Sequence, residues 1–88
     1  MEETTFNFGE SIEQMKRGRK VARKGWNGKG QYVRIVNPYT DKAYSVTEHE
    51  PIDGTLMAYI GMKTADNGFV PWVPSQADML AEDWGFVD

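Results

Sequence analysis

The chain has 88 residues, of which 40% are hydrophobic and 26% are charged, and its formal net charge is −3. These proportions are typical of a folded globular domain and exclude a disordered chain, while the lack of any apolar run near about 18 residues excludes a membrane-spanning helix. The chain contains no cysteine, which excludes disulfides and thiolate chemistry and is consistent with a cytosolic protein.

The first predicted element is a short helix over residues 8–17. Asn7 suits its N-cap, and Glu10, three residues further on, completes a pair that resembles a capping box. Gly18 suits the position just after the last turn. A spacing of four and then three residues places the apolar side chains on one helical face, which consists of Phe8, Ile12 and Met15.

Segments with strand-like patterns follow the helix, at residues 20–26, 31–37, 43–47, 56–63 and 69–73. Val33 and Ile35 share one face of the second segment. The sequence Asp66-Asn67-Gly68 predicts a hairpin turn between the last two segments. Pro71 cannot donate a ladder hydrogen bond, so it predicts an edge strand or a bulge. Residues 48–55 are polar and predict a loop.

A second helix is predicted to begin at Ser75, which forms a capping-box pattern with Asp78. Apolar residues then recur at helical spacing, so the helix is expected to end at Gly85; these residues are Ala77, Leu80, Ala81 and Trp84. Residues 86–87 suit a last short strand. The predicted fold is a single α+β domain spanning 1–88, a small, mostly antiparallel β-sheet with two short α-helices. A domain of this size buries only about 60–65% of its unfolded surface, so self-association is expected to add stability.

Candidate catalytic and metal-binding residues are few. His49 is the only histidine, and its place between Glu48 and Glu50 in a predicted loop favours a solvated side chain. Asp78 and Glu82 stand four residues apart, and a cap charge beside a solvated face is their simplest interpretation. One histidine and no cysteine disfavour a zinc site, and no dense set of oxygen ligands suggests a hard cation. The sequence therefore predicts a protein that is not an enzyme and that needs no metal or cofactor.

The stretch Gly25-Trp26-Asn27-Gly28-Lys29-Gly30 is rich in glycine, but its spacing matches neither a P-loop nor the dinucleotide fingerprint. Its simplest interpretation is a hairpin turn at Asn27-Gly28 that joins the first two strands. The same turn would expose backbone N–H groups to a phosphate, while Lys29 adds a cation and Trp26 a flat surface for a base. The two interpretations are compatible.

A second tryptophan, Trp72, lies just before the capped helix start at Ser75, where unpaired amides and the helix dipole favour anions. A tryptophan in this position is most simply a core or interface residue. Two loops that each combine a tryptophan with a group that attracts anions would nevertheless suit a nucleotide-like ligand with two ends.

Residues 16–24 hold six of the ten basic residues of the chain. This stretch permits an alternative function, a small nucleic-acid- or protein-binding module that uses it as a contact surface. The net charge of −3 argues against nucleic acid, because binding to phosphates depends on positive charge.

Several blocks of the sequence are similar to one small family of phage and prophage proteins. They read NFGE at residues 7–10, KVARKGWNGKG at 20–30, MKTAD at 62–66, VPW at 70–72 and SQADMLAEDW at 75–84. Together, and in this order, they resemble the second class of Thoeris anti-defence proteins. Residues 37–55 match no pattern of that family.

The resemblance implies a sponge in the cytoplasm of the infected bacterial host. Such proteins bind, without cleaving, the cyclic ADP-ribose-type signal (gcADPR) made by the Thoeris sensor, so that the effector is not activated. Some relatives also hold cyclic dinucleotides at a separate site. The family assembles as a homotetramer with pockets between subunits, so the expected partners are a cyclic nucleotide and other copies of the chain, with no nucleic acid and no membrane.

By the same resemblance, the expected ligand-binding residues lie in the two tryptophan-containing loops; they are Trp26, Asn27, Gly28, Lys29, Trp72, Ser75, Gln76 and Asp78. Trp26 is expected to stack on adenine. Asn27 and Asp78 are expected to hydrogen-bond the ribose or the base, and Lys29 is expected to meet the diphosphate together with loop amides.

Overall fold

A computed structural model describes residues 4–26, 29–38 and 57–87. Two helices and five strands are formed by these residues, in the order α1 (Phe8–Lys16), β1 (Lys20–Arg23), β2 (Tyr32–Val36), β3 (Tyr59–Lys63), β4 (Phe69–Pro71), α2 (Gln76–Leu80) and β5 (Trp84–Val87). The strands form one sheet in the order β4-β3-β2-β1-β5, and every neighbouring pair is antiparallel. The predicted α+β architecture is therefore confirmed.

Helix α1 begins and ends where its capping residues predict. The Asn7 side chain accepts a hydrogen bond from the Glu10 amide at 2.8 Å. The Glu10 carboxylate accepts from the Gln14 side chain at 2.7 Å, instead of completing a capping box. Gly18 adopts a positive φ of 86°, and its amide donates to the Met15 carbonyl at 2.9 Å. Glycine reaches this left-handed conformation without steric cost, which explains why the helix stops there.

The core lies between α1 and one face of the sheet. The fully buried members of its main cluster come from α1, β1, β2 and β5, and they are Met15, Val21, Val33 and Trp84. Val36 of β2 is fully buried as well. Phe8 and Ile12 of the predicted apolar helix face pack against this cluster, as does Ile35. The predicted shared face of Val33 and Ile35 is thus confirmed. This packing supplies most of the stabilisation of α1, since a nine-residue helix is marginal in isolation.

The β3–β4 hairpin has the predicted turn. Asn67 adopts a positive φ of 70°, as this turn requires. The Thr64 amide donates to the Gly68 carbonyl at 2.9 Å, and the Gly68 amide donates to the Thr64 hydroxyl at 2.8 Å. A hydrogen bond from that hydroxyl lowers the pKa of Asp66. The following strand contains Pro71 and lies at the edge of the sheet, as predicted.

The predicted extent of the second helix is wrong. Helix α2 ends at Leu80, because the backbone at Ala81 is extended (φ −71°, ψ 150°). Trp84 belongs to β5, where it lies opposite Arg23 of β1. The predicted strand at residues 86–87 is confirmed, but it begins two residues earlier. Pairing with β1 and complete burial of the indole outweigh the local helical spacing that ends at Trp84.

The other strands are shorter than predicted at their ends. Strand β1 ends at Arg23. The Trp26 amide then donates a hydrogen bond to the Arg23 carbonyl at 3.3 Å, so a turn begins directly after the strand. Beyond the end of β4, the Trp72 amide still donates to the Ile60 carbonyl at 3.0 Å. The strand predicted at residues 43–47 and the loop predicted at 48–55 lie outside the described residues.

Gly61 of β3 lies directly beneath the ring of Phe69, and a Cβ atom at this position would come 2.3 Å from that ring and 3.2 Å from Val36. Changing Gly61 to alanine should therefore lower the free energy of unfolding by about 1–3 kcal/mol, as overpacking does. Urea denaturation, monitored by circular dichroism, would measure this loss. Gly85→Ala is the matched control, because its Cβ would come no closer than 3.5 Å to a neighbour, the Thr4 carbonyl. Equal stability of the two variants would contradict the prediction.

Candidate ligand-binding site

The fold brings the two predicted tryptophan loops together. The ring centroids of Trp26 and Trp72 are 6.1 Å apart, with an angle of 70° between their planes. Both rings also pack edge-on against the buried Trp84, at 5.3 Å and 6.0 Å respectively. Edge-to-face packing is a favourable arrangement for aromatic rings. Two loops that are 46 residues apart in sequence thus contribute to one aromatic cluster.

Trp26 and Trp72 are each only half-buried, whereas Trp84 is completely buried. Trp84 is therefore the buried ring on which the other two pack. Those two rings retain surface that a ligand can contact. The indole N–H of Trp84 donates to the Asp78 carbonyl at 3.0 Å, which satisfies this buried donor. Lys29 is exposed. Asn27 and Gly28 lie outside the described residues.

The second loop enters α2 through the predicted capping box. The Ser75 hydroxyl accepts from the Asp78 amide at 3.1 Å, and the Asp78 carboxylate accepts from the Ser75 amide at 2.9 Å. Ser75 and Gln76 are exposed, while Asp78 is half-buried. Ser75 and Gln76 are thus accessible beside Trp72, whereas Asp78 faces inward, toward the protein.

Arg23, which the sequence analysis did not select, joins the two loops. Its Nε donates to Oδ1 of Asp83 at 2.9 Å, and its Nη1 donates to Oδ1 of Asp78 at 3.1 Å. Oδ2 of Asp83 accepts from the Gly25 amide at 3.1 Å. A signal for this inward position was present in the sequence, because Arg23 stands two residues after Val21 and side chains alternate along a strand.

Arg23, Asp78 and Asp83 stabilise one another's ionised forms. Hydrogen bonds from Arg23 lower the pKa of Asp83, against a smaller opposing effect of burial. Burial tends to raise the pKa of Asp78, but hydrogen bonds from Ser75 and Arg23 outweigh it and the pKa is lowered. Hydrogen bonds to Asp83 and Asp78 raise the pKa of Arg23. Both carboxylates therefore carry full negative charge at neutral pH.

Stability should accordingly fall in acid. Because the folded-state pKa values of Asp78 and Asp83 lie below the ordinary value of 3.8, their stabilisation is fully present above that value and is lost as the pH falls through the folded-state values. We expect the melting temperature to be steady from neutral pH to about pH 5 and to fall below about pH 4. The Asp83→Asn variant should melt at a lower temperature at pH 7 and lose less on acidification. An equally steep decline in this variant would contradict the assignment.

Three cations of the basic stretch 16–24 contact three different sets of neighbours. Arg23 points toward the two aspartates, whereas the guanidinium of Arg19 lies 4.0 Å from the ring centroid of Phe86. Lys16 lies 3.6 Å from Glu13 on α1. Arg23 is thus engaged within the protein, so a basic contact surface would have to use the other, exposed cations of this stretch.

Other candidates from the sequence are not gathered into a site. Asp78 and Glu82 do not share a helix, since α2 ends between them. His49 lies outside the described residues. Within residues 4–26, 29–38 and 57–87, no group of three or more potential metal ligands occurs, and no helix is long and apolar enough to cross a membrane. A cleft of about 400 Å³ lies where β1 meets β5, and none of the predicted ligand-binding residues lines it.

Comparison with known proteins places the chain in a family. Residues 6–87 match the model of the Thoeris anti-defense 2-like domain. The chain is also 42% identical, over 89 aligned residues, to a protein of Bacillus phage SP01 named Thoeris anti-defense 2. The alignment covers 96% of this chain and 97% of the phage protein, so it spans both tryptophan loops. The chain therefore belongs to the Thoeris anti-defense 2-like family.

Proposed function

We propose that this protein counters Thoeris defence by binding and sequestering, without cleaving, a cyclic ADP-ribose-type signal (gcADPR). Family membership and the name of the phage relative support a role against Thoeris. The observation that carries the proposed mechanism is the meeting of Trp26 and Trp72 in one partly exposed aromatic cluster. A signal held in this way would not reach the effector, which would stay inactive in the cytoplasm of the host.

The chemistry of the two loops matches the two ends of such a ligand. A partly exposed indole offers surface to adenine, and a base stacked on an aromatic ring gains about 1–3 kcal/mol. Lys29 and the neighbouring glycine amides suit the diphosphate. Ser75 and Gln76, which are exposed at the start of α2, provide hydroxyl and amide groups for the ribose hydroxyls. We assign stacking to Trp26 and keep Asn27 as a partner of the ribose or base.

The ionised state of the Asp78 carboxylate supports binding of the signal without cleavage. A general acid for cleavage must carry a proton near neutral pH, and the lowered pKa of Asp78 means that it does not. A general base must accept a proton, and the Asp78 carboxylate is already engaged by Arg23 and Ser75. The most buried carboxylate near the aromatic cluster is therefore poorly suited to catalysis.

Calorimetric titration followed by recovery of the ligand tests the proposal. The purified protein would be titrated with isomers of cyclic ADP-ribose and, separately, with cyclic dinucleotides. Each complex would then be heat-denatured, and the released nucleotide identified by mass spectrometry. We expect stoichiometric binding of a cyclic ADP-ribose isomer that is recovered intact. A chemically altered nucleotide would identify an enzyme, and the absence of binding to any of them would refute sequestration.

We also propose that the protein assembles as a homotetramer. Two large apolar side chains near the candidate site are left in solvent, since Val73 is 86% exposed and Leu80 is 78% exposed. Their burial between copies would supplement a small core. Light scattering coupled to size-exclusion chromatography should give a mass four times that of the chain, and Leu80→Asp should reduce it. A monomeric wild-type protein would contradict this proposal.

A further inference from the structure

We infer that Arg23 and Asp83 are positioning residues for the candidate ligand site: they fix the Trp26 loop against the Trp72 loop before any ligand binds. This inference rests on the proposed function. We use the name Arg23 clasp for the side chains of Arg23, Asp78 and Asp83 together with the amides of Gly25 and Ser75. These groups come from β1, from both tryptophan loops, from α2 and from the segment between α2 and β5.

Each carboxylate of the clasp connects two partners, one through each oxygen. Oδ1 of Asp83 accepts from Arg23 Nε, while its Oδ2 accepts from the Gly25 amide, one residue before Trp26. Oδ1 of Asp78 accepts from Arg23 Nη1, while its Oδ2 accepts from the Ser75 amide, three residues after Trp72. A continuous chain of hydrogen bonds therefore runs from one tryptophan loop through the guanidinium to the other.

Backbone contacts extend the clasp on the Trp26 side. The Lys24 amide donates to the Asp83 carbonyl at 3.0 Å, and the Trp26 amide donates to the Arg23 carbonyl at 3.3 Å. The three residues that lead to the Trp26 ring are thus bonded, through their amides, to Asp83 or to Arg23. This arrangement fixes where the loop leaves the sheet, and so fixes the direction in which the Trp26 ring is presented.

The clasp also changes the role expected of Asp78. Both of its oxygens already accept hydrogen bonds within the protein, and its side chain is only 13% exposed. Contact with a ribose or base would have to compete with these bonds. We therefore assign Asp78 to the support of the site, and leave direct polar contact in the second loop to Ser75 and Gln76.

Arginine is needed at position 23 because a guanidinium directs several N–H groups along fixed directions, whereas a lysine ammonium acts as a point charge. The Arg23–Asp83 pair is partly open to solvent, since the Asp83 side chain is 34% exposed, and ion pairs of this kind contribute little to overall stability. Positioning of a binding group, in contrast, affects affinity directly, because a loop that must be ordered on binding lowers the affinity. The clasp should therefore influence ligand binding more than it influences folding.

The test compares Arg23→Lys, Asp83→Asn and the double variant with wild type. Affinity for the cyclic ADP-ribose isomer would be measured by calorimetry at a temperature where all four proteins are folded. In the ligand-free proteins, ¹⁵N relaxation of the indole N–H groups would report the order of each tryptophan ring. Trp84 is the internal reference, since its indole is buried and hydrogen-bonded. Lys16→Ala, which breaks a separate ion pair with Glu13, is the matched control.

We expect each single variant to bind about tenfold more weakly, with a clear loss of order at the Trp26 indole and none at the Trp84 indole. The double variant should lose less affinity than the sum of the single losses, because both substitutions break the same clasp. The Lys16→Ala protein should behave as wild type. Unchanged order at Trp26, or an equal loss of order at all three indoles, would overturn the inference.

The two readouts separate this inference from the proposed function. If wild type binds none of the cyclic nucleotides, sequestration is refuted, and the indole relaxation alone still decides whether the clasp orders the Trp26 loop. If wild type binds but the clasp variants bind equally well, the proposed function stands and the positioning role is wrong.

Discussion

Replacing Trp84 with alanine should remove most of the stability of the protein at 25 °C. The indole is completely buried and contacts the rings of Phe8, Trp26 and Trp72. Removing a buried tryptophan costs about 3–5 kcal/mol. The total stability of a small domain is about 5–15 kcal/mol, and a domain of 88 residues is expected near the lower end. Urea denaturation, monitored by circular dichroism, would measure the decrease in the free energy of unfolding.

Trp84→Phe separates the two contributions of this side chain. Phenylalanine retains an aromatic ring in the cluster but cannot donate to the Asp78 carbonyl, which Trp84 reaches at 3.0 Å. We expect this variant to fold and to lose about 1–3 kcal/mol, from the missing hydrogen bond and the smaller ring. If Trp84→Ala were within about 1 kcal/mol of wild type, the aromatic cluster would not be the centre of the core.

The parts of the fold that could be predicted from the sequence are those set by local chemistry. Asn7 and Gly18 marked the ends of α1, because capping and left-handed conformations depend on neighbouring residues alone. Asp66-Asn67-Gly68 marked a turn for the same reason. Ser75 and Asp78 marked the start of α2 through a reciprocal cap. Each of these features is decided within about four residues of chain.

The end of α2 could not be found in this way. Residues 77, 80, 81 and 84 are spaced as on a helix, and nothing nearby shows that Trp84 pairs with β1 instead. That pairing depends on residues about 60 positions away. Local periodicity therefore predicted the wrong element for Trp84, the largest fully buried side chain among the described residues.

The candidate site likewise has parts that local sequence predicts and parts that depend on distant residues. Its loops could be found from glycine, tryptophan and capping residues, but their meeting depends on how the strands pair and on the buried ring of Trp84 between them. Arg23 was grouped with neighbouring cations because a charge run usually lies in solvent. Its partners, Asp78 and Asp83, follow it by 55 and 60 residues, so that only the folded chain identifies them.

Changing Trp26 to leucine should weaken binding of the cyclic ADP-ribose isomer by about 10- to 100-fold while the protein remains folded. Loss of base stacking costs about 1–3 kcal/mol, and 1.4 kcal/mol corresponds to a factor of ten in affinity. The structure favours leucine over alanine for this test. Because Trp26 is half-buried against two other indoles, alanine would remove core packing as well as the stacking surface, whereas leucine retains apolar bulk.

Phe86→Leu is the matched control for this variant. Phe86 is 38% exposed, and within the part of the chain that the structure describes its ring pairs with Phe6 and Arg19, not with the ring of a tryptophan. Its replacement removes one partly exposed aromatic ring without touching the candidate site, so affinity should not change. Equal weakening in both variants would show that the losses come from general destabilisation.

Trp26→Phe then distinguishes stacking from shape. If a base lies on the ring at this position, affinity should decrease in the order tryptophan, phenylalanine, leucine, because the stacking surface decreases in that order. If the side chain only fills space between the two loops, the phenylalanine and leucine variants should bind the ligand equally well. The two side chains are similar in volume, although only phenylalanine has an aromatic ring. Wild-type affinity in both variants would remove Trp26 from the site and leave Trp72 as the stacking residue to test.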